Sequence, residues 1–126
     1  MAGVFEVYVK THFSAAHRLE GYPGDCARTH GHNWIVEAYV ECRELDRIGI
    51  GMDFRDIKQA VKEILFNLDH FDLNDLEPFR GVNPSSENIA KYIYQELSKK
   101  LNTTSAKVSR IKVCEAPGAG AYYWED

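Results

Sequence analysis

"HNWIVEAYVECR" (residues 32–43) alternates in character. Trp34, Val36, Ala38 and Val40 fall on one side, and Asn33, Glu37 and Glu41 fall on the other together with Ile35 and Tyr39. Side chains of an extended chain point alternately to opposite faces, so a period of two predicts a half-buried β-strand. Residues 4–13, "VFEVYVKTHF", repeat the pattern: Phe5, Val7, Val9 and Phe13 on one side, Glu6, Tyr8, Lys10 and His12 on the other. Between the two strands, "GYPGDCAR" (residues 21–28) carries Gly21, Pro23, Gly24 and Asp25, which mark a loop.

Downstream the period changes. "ELDRIGIGMD" (residues 44–53) is rich in turn formers, and Asp53 is a plausible N-cap. The helix after it is expected to bury Phe54, Ile57, Val61, Ile64, Leu65 and Leu68, a 3.6-residue stripe. A long polar connection (residues 68–88) leads to a second helix with Ile89, Ile93, Leu97 and Leu101 along one face. Pro84, Ser85, Ser86 and Glu87 suit the start of that helix. "AKVSRIKVCEA" (residues 106–116) reads as a third strand, "PGAG" (117–120) as a turn and "AYYWED" (121–126) as a short fourth strand. The order strand, strand, helix, helix, strand, strand gives an α+β class with antiparallel pairing. The helices are expected on one sheet face. Apolar residues on the other face suggest burial against a second subunit. With no repeat or linker, residues 1–126 are expected to form one domain.

The composition excludes several functions. Hydrophobic residues make up 44% of the 126, enough for a core and too many for a disordered chain. The net charge is −4 with no lysine or arginine block, which disfavours nucleic acid and membrane surfaces as partners. No apolar run approaches the ~20 residues of a membrane-spanning helix. The opening "MAGVFEVYVK" lacks the basic and apolar regions of an export signal. Cys26, Cys42 and Cys114 are odd in number and widely spaced, so reduced thiols in a cytoplasmic protein are expected.

"CARTHGHNW" (residues 26–34) carries the chemistry. His30 and His32 are two apart, so they share a face of a strand, ~6.5–7 Å apart along the chain. Zinc takes neutral imidazoles at about 2.0–2.1 Å and favours four ligands. His17 is the candidate third: it ends the strand-like stretch "HFSAAH", and the loop that follows brings the chain back to His30. Three histidines with a fourth position open describe a catalytic zinc site; Cys26 as fourth ligand would close it and make it structural. His12 faces the other way in a regular strand and is expected at the surface or behind the ligands. Asp69-His70, past the first helix, offers a carboxylate to orient an imidazole, the partners of an activated thiol. In the same stretch Asp72, Asn74 and Asp75 read as loop formers. Glu115 follows Ile111 and Val113 on the inward strand face, where it either meets solvent at the sheet edge or receives paired N–H donors from a ligand.

"FSAAHRL", "CARTHGHNW", "MDFRDIK", "LDHFDLND", "NPSSENIAKYI" and "KVCEAPGAGAYY", in this order, resemble the 6-pyruvoyl-tetrahydropterin synthase superfamily from about Phe5 to Tyr123. The resemblance implies that His17, His30 and His32 hold Zn2+, that Cys26 is the catalytic thiol and that Asp69 and His70 are its partners. It implies that Glu115 anchors the amino-pyrimidine edge of a pterin, and that Ser85, Ser86 and Glu87 border the pterin pocket, though they also suit a helix cap. The spacing C-x3-H-G-H, with Ala27 after the thiol, resembles the bacterial 6-carboxy-5,6,7,8-tetrahydropterin synthase branch, which serves queuosine biosynthesis. The implied fold is the T-fold, a four-stranded antiparallel sheet with two helices between strands two and three. The implied assembly is a homo-hexamer of two trimers with active sites at subunit interfaces. The implied substrate is 7,8-dihydroneopterin triphosphate, cleaved with loss of triphosphate and acetaldehyde; Arg18 and Arg28 are candidates to meet the triphosphate. The competing readings are a pyruvoyl-forming enzyme that stops after triphosphate elimination and a non-catalytic pterin-binding module. A zinc hydrolase is disfavoured, because no HExxH helix is present.

Overall fold

A computed structural model describes residues 3–126. The elements follow the expected order: β1 (Phe5–His17), β2 (His30–Cys42), α1 (Phe54–Leu65), α2 (Ser86–Leu101), β3 (Ala106–Ala116) and β4 (Ala119–Tyr123). The strands form one antiparallel sheet in the order β1-β2-β3-β4, with both helices inserted between β2 and β3. This is the T-fold arrangement. Among the described residues, no helix is long and apolar enough to cross a membrane.

The alternation read in β2 is the core face of the sheet: Trp34, Val36, Ala38 and Val40 are fully buried. Val9 and Phe13 from β1 and Val108, Ile111 and Val113 from β3 join them beneath Ile57, Val61 and Ile64 of α1 and Ile89, Ile93 and Leu97 of α2. Each such side chain contributes about 1.5–3 kcal/mol by leaving water. Both helix starts are capped as expected. The Asp53 carboxylate accepts the Arg55 N–H at 2.8 Å, and the Ser85 hydroxyl accepts the Asn88 N–H at 3.2 Å.

The structure departs from the sequence reading in four places. Phe54 is 53% exposed, so the apolar stripe of α1 begins at Ile57. Helical side chains lean toward the N-terminus, and at the first position Phe54 leans past the end of the helix. Leu68 is buried, but in the turn after α1. β1 runs through the strand-like stretch to His17 as read, but β4 begins at Ala119, leaving Pro117-Gly118 as the turn. The outward face of the sheet is aromatic and ionic rather than simply apolar. The Arg110 guanidinium stands 4.1 Å from the Tyr39 ring centroid and 4.8 Å from that of Tyr122, and it donates to Glu6 at 3.0 Å.

Two bulges in β3 decide what its residues face. Tyr39 pairs with Arg110 and Val40 with Val108, so Ser109 is an extra residue. Without it the alternation that buries Val108 would carry Arg110 and Lys112 inward; with it, Ile111 and Val113 enter the core. A second irregularity lies between Cys114, paired with Gly120, and Ala116, paired with Ala119, so Glu115 is unpaired with β4. Bulges re-aim side chains in this way.

Candidate metal centre

The centre grows out of the last rungs of the β1–β2 ladder. His17 pairs with His30, Ala15 with His32 and Phe13 with Trp34. The odd residues of β1 and the even residues of β2 face inward here, so three imidazoles line up beyond the Phe13–Trp34 stack. Their ring centroids lie 4.6 Å (His17–His30), 5.1 Å (His17–His32) and 4.9 Å (His30–His32) apart. One ligand atom from each lies within 4.8 Å of the others. The Trp34 ring meets His17 and His32 edge-on at 4.8 and 5.0 Å, and its Nε1–H donates to the Ala15 carbonyl at 3.1 Å.

Hydrogen bonds fix which nitrogen faces the cluster. His17 Nδ1 lies 2.7 Å from the Pro84 carbonyl, and His30 Nδ1 lies 2.7 Å from the Arg28 carbonyl. A carbonyl only accepts, so both Nδ1 atoms carry the proton, and the Nε2 lone pairs are free to bind. A backbone carbonyl behind the imidazole is how metal-binding histidines are oriented. His17 is fully buried, and its Nε2 and that of His32 are buried without any hydrogen-bond partner among the described residues. Burial holds the His17 pKa below the ordinary histidine value, outweighing the Pro84 carbonyl, which acts the other way; His30 and His32 lower it further. The imidazole is therefore held neutral, the form that binds metal. Orphaned buried nitrogens, a neutral imidazole and the tautomers fixed at His17 and His30 together fit a metal ion on His17, His30 and His32.

The Glu115 carboxylate reaches to 3.8 Å from His17 Nε2 and 3.9 Å from His32 Nε2. The inward face expected for it is the face it takes, and it borders the cluster rather than a free sheet edge. It stands outside the group of mutually close ligand atoms, as does Cys26. The thiol is half-buried in the short turn Asp25–Ala27.

Asp69 and His70 lie on the other side of β1, where the chain after α1 crosses the strand edge. Asp69 Oδ1 accepts the Ser14 N–H at 2.8 Å and Oδ2 is 3.0 Å from His70 Nδ1. The bond from Ser14 is the main cause that holds the Asp69 carboxyl below its ordinary range, with His70 adding to it against some desolvation. His70 takes a left-handed backbone (φ 66) and leaves its side chain 81% exposed. Among the described residues no hydrogen bond joins Cys26 to Asp69 or His70. One chain thus brings together the three histidines and Glu115, and separately the Asp69–His70 pair. An open cavity of about 480 Å³ beside the pair is lined by Ser14, Ala16, Gly31, Asn33 and His70, with His32 at its edge.

The other sequence candidates are placed as follows. Ser85 is the cap of α2, Ser86 is buried and Glu87 is exposed. Arg18 reaches Glu20 at 3.2 Å. Arg28 contributes its carbonyl to His30. His12 is exposed, in a groove with Asp69. Sequence reading missed Pro84 as the partner of His17. It also took Asn74 for an ordinary loop former, whereas its side chain bonds the backbone of Arg18. Nothing in the local pattern marks either one.

A family model described as 6-pyruvoyl tetrahydropterin synthase matches residues 6–126. A putative 6-carboxy-5,6,7,8-tetrahydropterin synthase of Archaeoglobus fulgidus is 36% identical over 107 residues, 85% of this chain and 84% of the relative. The 6-carboxy-5,6,7,8-tetrahydropterin synthase of Bacillus subtilis is 36% identical over 114 residues, 86% and 76% of the two chains. The solved structure of Caenorhabditis elegans 6-pyruvoyl tetrahydropterin synthase superposes with a TM-score of 0.87 at 26% identity, covering 99% of this chain and 98% of that one.

Proposed function

Because the chain belongs to the 6-pyruvoyl tetrahydropterin synthase family, we propose that it is a zinc-dependent lyase of the 6-carboxy-5,6,7,8-tetrahydropterin type. It converts 7,8-dihydroneopterin triphosphate and water to 6-carboxy-5,6,7,8-tetrahydropterin, acetaldehyde and triphosphate, in queuosine biosynthesis. The ring gains the reducing equivalents that the side chain loses, so the reaction needs no external reductant. The observation that carries this reading is the cluster of His17, His30 and His32 with its buried, unpartnered Nε2 atoms.

Zinc held by these histidines supplies Lewis acidity toward the side-chain hydroxyls of the substrate. The Glu115 carboxylate binds the guanidine-like N–H pair of the pterin, a bidentate contact. Its place beside the histidines puts the pterin side chain next to the cluster, a positioning effect. Cys26 takes a proton as general base. Asp69 fixes His70 by its Nδ1, so that Nε2 is the atom that gives and receives protons. Ser85, Ser86 and Glu87 border the pterin pocket.

The assembly is a homo-hexamer of two trimers in the cytoplasm. Two features support association of copies. The N-terminal half of β1 is a sheet edge beside an apolar groove of about 390 Å³ that includes Val9, Phe13, Val61, Leu65 and Phe66. Within one chain, moreover, Cys26 is not bonded to Asp69–His70, so a neighbouring copy is the source of the missing partner.

The test is incubation of the zinc-loaded protein with 7,8-dihydroneopterin triphosphate, followed by product analysis. Acetaldehyde and the carboxy product are expected. The pyruvoyl product without acetaldehyde supports the second reading, which the 30% identical 6-pyruvoyl tetrahydrobiopterin synthase of Dictyostelium discoideum favours. No turnover at all rejects both.

A further inference from the structure

Residues 18–20 join His17 to the loop of Cys26, and they lie beyond the last β1–β2 rung, His17–His30. No strand is left to satisfy their backbone. Two asparagines from the connection between the helices do so instead. Asn74 Oδ1 accepts the Arg18 N–H at 2.8 Å, and its Nδ2 donates to the Arg18 carbonyl at 3.1 Å. Asn83 treats Glu20 the same way, at 2.9 and 3.0 Å. Each carboxamide makes the pair of bonds that a residue of a neighbouring strand would make. The same connection holds the N–H of Ser14 through Asp69 and the N–H of Ala16 through the Phe71 carbonyl.

The asparagines are themselves fixed. The Asn74 N–H donates to Asp72 at 3.1 Å. The Asn83 carbonyl accepts from Asn88 Nδ2 at 2.8 Å and from the Ser85 N–H at 2.9 Å, at the start of α2. The next residue is Pro84, whose carbonyl holds His17. On the other side, the Leu19 N–H donates to the Cys26 carbonyl at 2.8 Å. A clamp on residues 18 and 20 therefore brackets Leu19, the residue that ties down the Cys26 backbone.

We propose that Asn74 and Asn83 are positioning residues: through Arg18 and Glu20 they set where the Cys26 thiol stands relative to the three histidines. The proposal rests on the reading of Cys26 as the base. The residue type follows from the task, since only a carboxamide offers a donor and an acceptor side by side. A carboxylate accepts only, and an alkyl side chain does neither.

The test uses the zinc-loaded full chain and the variants Asn83→Ala, Asn83→Asp and Asn74→Ala. Iodoacetamide reports on Cys26, because Cys42 and Cys114 are buried. In Asn83→Ala, Cys26 is expected to alkylate about tenfold faster. Its kcat is expected to fall about 10–100-fold with KM within about threefold. Zinc affinity by chelator competition is expected to stay within about threefold of the parent. Asn74→Ala, acting next to His17, is expected to weaken zinc as well. Asn83→Asp keeps the acceptor for the Glu20 N–H and is expected to lie between parent and Asn83→Ala. Parental alkylation rates in both alanine variants overturn the proposal. So does a uniform rise in alkylation of all three cysteines with a lowered unfolding midpoint, which marks a general loosening. If Cys26→Ala retains turnover, the reading of the thiol fails, and the alkylation rates still decide the clamp.

Discussion

His17 and His30 face one another across the last rung of the β1–β2 ladder, with ring centroids 4.6 Å apart. The pairing register places them there. A slip of one residue would turn every side chain of one strand to the opposite face, so Trp34, Val36, Ala38 and Val40 hold the histidine cluster in place by being apolar.

Replacing His30 by alanine removes one of the three proposed ligands and leaves the core untouched, since His30 lies at the strand end and is not fully buried. Zinc content is expected to fall from stoichiometric to near background, while the far-ultraviolet circular dichroism stays that of the parent. Full zinc in that variant, measured by atomic absorption, rejects the ligand assignment.

Cys26→Ala is expected to keep zinc, because the thiol stands outside the group of close ligand atoms. Turnover is expected to drop about 10²–10⁴-fold, the scale of a lost general base. The check is a steady-state assay alongside metal analysis of the same preparation. Parental turnover removes the thiol from the mechanism.

Gly120 faces β3 where Glu115 is unpaired. A Cβ added there would lie 2.5 Å from Cys114 Sγ and 2.6 Å from the Val113 carbonyl oxygen. The second contact is with backbone, so trimming Cys114 cannot relieve it. Gly120→Ala is expected to cost about 1–3 kcal/mol in urea unfolding. It is also expected to raise KM through a displaced Glu115. An unchanged midpoint would falsify the tight approach of β4.

Asp69 has a folded pKa below its ordinary value of 3.8, because its charged form accepts the Ser14 N–H and faces His70. A depressed carboxyl contributes stability above the unfolded pKa and loses it as pH falls through the folded one. Asp69→Asn keeps an acceptor for Ser14 but not the charge. In metal-free protein, the stability gap between parent and variant is expected to be full above about pH 3.8 and to close below it. Unfolding midpoints across that range check this; a gap independent of pH rejects it.

Much of the fold was legible because burial leaves a periodic trace. Alternation marked β2, the 3.6-residue stripe marked α2, and Asp53 and Ser85 marked helix starts whose N–H groups need acceptors. The trace fades where residues are small. Ser14, Ala15 and Ala16 carry little contrast in polarity, so the alternation is clear only to Phe13 and the rest of β1 reads merely as a strand-like stretch ending at His17. It misleads at Phe54, which has the period of the core and the exposure of a helix end.

From the sequence alone came the order of elements, the three histidines as a candidate set and the inward face of Glu115, because each depends on neighbours a few positions away. Tertiary structure alone decided that His17 meets His30 and His32, that Pro84 fixes its tautomer, that Ser109 shifts the phase of β3, and that Asn74 and Asn83 hold residues 18 and 20. Those bonds join a side chain to a backbone group 56 to 67 positions away. Such a bond leaves no period in the sequence, since its partners become neighbours only through the path of the folded chain.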